Sequence, residues 1–170
     1  MSHTDTPWSR LASRTVRGLL ARKGATYDDV VRALRDIGIE ETPKAIELKI
    51  QRGSFKCALF LQLLSALRAD LPVELKRILD NSTSWDDACR QLVLGILADQ
   101  SISIEEFSKQ LRQCGVHLTS TQVASQVSAG VFPFTLILQL DYLFPTPGFE
   151  RFVDGSDLAR AASDAVAAMP

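Results

Sequence analysis

"TPKAIELKIQRGSFK", residues 42–56, contains the fold in outline. Thr42 is a helix-capping residue, Pro43 suits a first helical position, and Gly53 is a helix stop. Between them Ile46 and Ile50, four apart, give one narrow apolar stripe, so the spacing predicts a short amphipathic helix. Lys44, Lys49, Arg52 and Lys56 make the segment basic. "TSTQVASQVSAGVFP", residues 119–133, repeats the outline with Thr119, Val123, Val127 and Gly130, and has no positive charge.

The two stretches lie 77 residues apart, and at that offset residues 8–67 align with 85–144 without a gap. Trp8 meets Trp85, Gly18 meets Gly95, Leu34 meets Leu111, Gly38 meets Gly115, and Phe55 meets Phe132. Leu59, Leu61, Gln62 and Leu63 meet Leu136, Leu138, Gln139 and Leu140. A period this long matches a small domain, so the chain reads as one compact unit duplicated.

Each unit predicts four helices with short joints. The first starts at Pro7 and stops near Gly24, with a counterpart after Ser84. Thr26 with Asp29, and Ser103 with Glu106, have capping-box spacing and open a second helix that runs to Gly38 or Gly115. The capped helix above is the third. The fourth, about 56–68 and 133–144, is apolar nearly all round and must be covered on every side. "CALFLQLLSAL" therefore predicts either that two units or two chains pack through Leu59, Leu61, Leu136 and Leu138, or that this helix is the centre of its own unit. "PVELKRILD" and "PGFERFVDG" each read as a short fifth helix, and "NSTS", residues 81–84, as the joint. The expected class is all-α: two tandem four-to-five-helix bundles of helix-turn-helix type. A basic unit spans 7–80, an acidic divergent copy spans 84–154, and an Ala-rich helix or frayed tail spans 155–170.

Hydrophobic residues at 46% and charged residues at 23% place the chain in the globular range. No apolar run reaches membrane-spanning length and "MSHTDTPWSR" lacks the order of a secretory signal, so a cytoplasmic protein with no membrane partner is expected. Cys57, Cys89 and Cys114 form no C-x-x-C pair and align with apolar partners, which predicts reduced core residues and no metal. With no Gly-rich phosphate loop and no His, Cys and acid grouping, the expectation is a protein without cofactor that is not an enzyme.

The net charge of −1 hides an asymmetry: residues 8–80 carry +5, residues 81–154 carry −4. A basic unit joined to an acidic one predicts an anionic partner for the first. With Ile46 and Ile50 turned inward, Lys44, Glu47, Leu48 and Gln51 point outward, while Arg52, Ser54 and Lys56 sit where the third helix passes into the fourth. A second helix, a turn, and a capped third helix with basic and amide residues outward is the layout that enters a DNA major groove. The copy offers Thr121, Ala124, Ser125 and Ser128 instead, with little attraction for phosphate.

The stretch from "LLARKGATYDDVVRAL" through "IQRGSFKCALFLQLLSAL" resembles an uncharacterised family of bacterial domains, domain of unknown function family 6471, and residues 85–144 resemble a more divergent copy. "IQRG" is also similar to the I-E-R-G that closes the recognition helix of Cro and phage-repressor-like proteins. That second likeness implies sequence-specific DNA binding by Thr42, Lys44, Glu47, Leu48 and Gln51, with Lys49, Arg52, Ser54 and Lys56 beside them. In such proteins the turn is shorter than "RDIGIEET", and the inward position six before the glycine, Glu47 here, is occupied differently.

The resulting expectation is a transcriptional regulator that contacts duplex DNA through the third helix of the first unit, with the second unit for packing or homodimerisation. The alternative is a protein-interaction adaptor docking on a regulator or polymerase subunit. Its candidate surface is the late aromatic cluster Tyr142, Phe144, Phe149 and Phe152 of the acidic unit.

Overall fold

The computed structural model describes residues 5–170, which form ten α-helices and no strand. In the first unit these are α1 (Pro7–Lys23), α2 (Tyr27–Asp36), α3 (Pro43–Arg52), α4 (Cys57–Ala66) and α5 (Val73–Asn81). In the second they are α6 (Trp85–Asp99), α7 (Ile104–Gln110), α8 (Ser120–Ala129), α9 (Phe134–Leu143) and α10 (Gly155–Ala167).

The caps follow from the residues. Thr6, Thr26, Thr42, Ser84, Ser103 and Thr119 each accept the N–H three residues on, which satisfies a donor the helix cannot. At Thr6, Thr26 and Thr119 the return bond is made too, by Ser9, Asp29 and Gln122. At Ser103 only half of the expected box forms, and the Glu106 carboxylate accepts from Gln110 instead.

The fourth helices have no side-chain cap, and the other copy supplies what is missing. The Cys57 N–H donates to the Phe132 carbonyl at 2.9 Å, and the Phe134 N–H donates to the Phe55 carbonyl at 2.9 Å. These two bonds exchange places under the 77-residue offset and make a single antiparallel bridge between Lys56 and Pro133. They mark the local two-fold axis that relates the copies.

Packing across this axis is reciprocal. α4 packs on α9; α1 packs on α9 while its counterpart α6 packs on α4; and α5 lies against α6 while α10 lies against α1. The fourth helices therefore meet within one chain. Leu59, Leu61, Leu136 and Leu138 are all buried, and Phe134 of the second copy stacks on Phe60 and Phe55 of the first at ring separations of 4.0 and 5.6 Å. All three cysteines are free and buried. The two copies share one core.

The copies differ at their ends. "PGFERFVDG" forms no fifth helix: Gly148 takes a left-handed φ of 92°, and only a 3-10 turn, Phe149–Arg151, follows. The helix begins later, at Gly155, with Asp154 at its N-cap. Nor is the tail frayed, because α10 buries Leu158, Ala161, Ala162 and Ala165 against α1, α9 and the 3-10 turn Leu111–Cys114 that extends α7. In the first copy α2 packs on α4; in the second, α10 packs on both the 3-10 turn Leu111–Cys114 and α9.

Candidate nucleic-acid interface

α3 is held by its buried stripe. Ile46 and Ile50 have no exposed surface, and Gly53 ends the helix so close to α1 that a Cβ there would lie 1.7 Å from the Ser9 carbonyl oxygen. What faces outward is Thr42, Lys44, Leu48, Lys49, Gln51 and Arg52, all exposed, with Glu47 half-buried. The Thr42 hydroxyl is occupied in capping Ala45. Much of the remaining charge is paired within the surface: Lys44 with Glu47 at 3.6 Å, Lys49 with Glu41, Arg32 with Asp29, and Arg35 with Glu40 at 3.8 Å. The Gln51 amide donates to Glu47 at 3.2 Å. The bonds from Thr26, backbone first, together with Arg32 hold the Asp29 carboxyl below its usual range.

Lys49, Arg52, Ser54 and Lys56 come together around one cavity of about 430 Å³ beside the end of α3, where Ala58, Leu59 and Gln62 of α4 form a wall. Among the described residues Arg52 and Lys56 have no carboxylate within 4 Å. Glu41 and Asp86 also line the cavity, so it is basic with an acidic edge, and Asp86 comes from the second unit. Lys44 and Leu48 lie away from it on α3.

Of the aromatic cluster expected to face a partner, the three phenylalanines are inside and Tyr142 is half-buried. Phe144, Phe149 and Phe152 are buried, Phe152 meeting Phe60 edge-on at 5.6 Å, and Tyr142 packs edge-on against Trp8. A small chain that shares one core between two copies needs these rings as filling. The three phenylalanine rings face the core rather than solvent.

A second group of cations is masked in the sequence because the second unit is acidic in sum. Lys109 and Arg112, with His117, line a cavity of about 430 Å³ between α7 and the start of α8. The signal was available: under the offset Lys109 meets Arg32 and Arg112 meets Arg35.

These features define an internally duplicated all-α protein whose copies close over one another and present separate cationic surfaces. The chain belongs to the family described as Domain of unknown function (DUF6471), which matches twice, over residues 8–71 and 85–142. No curated protein and no solved structure matches it. Among the described residues no helix is long and apolar enough to cross a membrane.

Proposed function

We propose that the protein binds duplex DNA as a transcriptional regulator, with the first copy as the contact surface. The observation that carries this reading is the convergence of Lys49, Arg52 and Lys56 with Ser54 on one cavity next to the exposed face of α3. Arg52 and Lys56, free of carboxylate partners among the described residues, are side chains able to take phosphate without first breaking an ion pair. Leu48, more than a third exposed on α3, offers an apolar contact of the kind a thymine methyl accepts. Gln51 can turn to a base edge once it leaves Glu47. The second copy completes the core that holds α1 and α4, and hence α3, in place.

The test is selection from a pool of random duplexes by the intact protein, followed by mobility shifts with the enriched sequence. The Arg52→Glu/Lys56→Glu variant is expected to lose the shift, and the affinity of the intact protein to fall steeply with added salt. Absence of enrichment and of any shift at low salt overturns the reading.

A further inference from the structure

The second copy, although acidic in total, also carries cations with no carboxylate partner among the described residues. We infer that Lys109, Arg112 and His117 form a phosphate-binding site, a second contact for the backbone of the same polyanion. This site rests on the reading above for its physiological ligand, but not for its chemistry.

The inference comes from comparing equivalent positions. In the first copy Arg32 is held by Asp29 and Arg35 faces Glu40 at 3.8 Å, while Glu41 faces Lys49. The counterparts of Asp29, Glu40 and Glu41 are Glu106, His117 and Leu118. Two of the three carboxylates are thus replaced, one by an imidazole and one by a leucine. The third, Glu106, is engaged with Gln110. Lys109 and Arg112 consequently have no carboxylate within 4 Å among the described residues. Both are exposed, and they stand three apart on one face where α7 passes into its 3-10 turn. The cavity they share has Ser108, Thr119 and Ser120 as hydroxyl-bearing walls, with Glu105 the one acid among its lining residues. Ser108 is engaged with the Leu118 carbonyl at 2.7 Å, which fixes the loop carrying His117. A planar guanidinium and an ammonium around a cavity large enough for a tetrahedral anion suit a phosphate group.

The experiment uses the full chain with two probes. With the selected duplex, the slope of log affinity against log salt is measured for the intact protein and for Lys109→Gln/Arg112→Gln; both side chains are exposed, and circular dichroism checks that the fold is kept. The slope is expected to shrink by about two, the loss of two phosphate contacts. An unchanged slope overturns the site while leaving the first-copy reading standing. If no duplex binds at all, that reading fails separately, and the second probe decides the site. Inorganic phosphate titrated into the intact protein should shift the NMR signals of His117, Thr119 and Ser120, and these shifts should vanish in the double variant. Absence of shifts, or their persistence in the variant, overturns the site.

Discussion

The indole N–H of Trp8 donates a 2.7 Å hydrogen bond to the carbonyl of Cys114, 106 residues away in the other copy. Both groups are buried, and the Tyr142 ring packs edge-on against the same indole. Trp8→Phe keeps most of the apolar contact and leaves the carbonyl without its donor. It is expected to cost about 1–3 kcal/mol in urea unfolding. Because the core is shared, the loss should appear in one transition rather than in the first copy alone.

The glycines that end the third helices should prove nearly irreplaceable. A Cβ on Gly53 would lie 1.7 Å from the Ser9 oxygen, and one on Gly130 would lie 1.9 Å from the Asp86 oxygen. Both residues have φ of 69°. Gly24, at φ 60°, has open space around it. Gly24→Ala is expected to cost roughly 1–2 kcal/mol of left-handed strain, while Gly53→Ala and Gly130→Ala add a backbone clash and fall in melting temperature by a clearly larger margin.

Acid should weaken the start of α6. The Arg90 guanidinium, with the Thr83 N–H and the Gln91 amide, lowers the Asp87 carboxyl from 3.8 to about 2. A carboxyl depressed on folding stabilises fully above its unfolded value and loses that contribution as pH falls through its folded value. The urea midpoints of the intact protein and Asp87→Asn should therefore differ at neutral pH and draw together between about pH 4 and pH 2.

Glu41 restrains the basic groove. Its carboxylate, 14% exposed, pairs with Lys49 at the cavity wall. Glu41→Gln releases Lys49, so binding of the selected duplex should tighten and its salt slope grow by about one. A weaker or unchanged slope would show that Lys49 does not face the duplex.

Local structure was largely legible in the sequence, because caps and stops are short-range chemistry. Thr26 with Asp29, Thr42 with Pro43, and Gly53 all stand where their side chains and backbone freedom require. Three things were not. Whether α4 and α9 meet inside one chain depends on which copy covers which, and an all-apolar helix has no periodicity to say so. The seat of α10 depends on small size: Gly115 approaches Ala165 so closely that a Cβ on the glycine would lie 2.7 Å from its backbone, and alanines give no amphipathic signal of that. For the candidate site, Lys49 and Arg52 are legible from their run along α3, and Lys56 from its place where the third helix passes into the fourth. Lys109 and Arg112 were hidden by a charge sum that counted distant acids against them.

Each copy lends the other the acceptor that starts its fourth helix. Neither is a finished object when made by itself. A backbone nick at exposed Thr83 would leave two fragments still clasped, whereas either fragment synthesised alone would bare Phe60 or Phe134 to water. The basic half has to be assayed inside its whole chain.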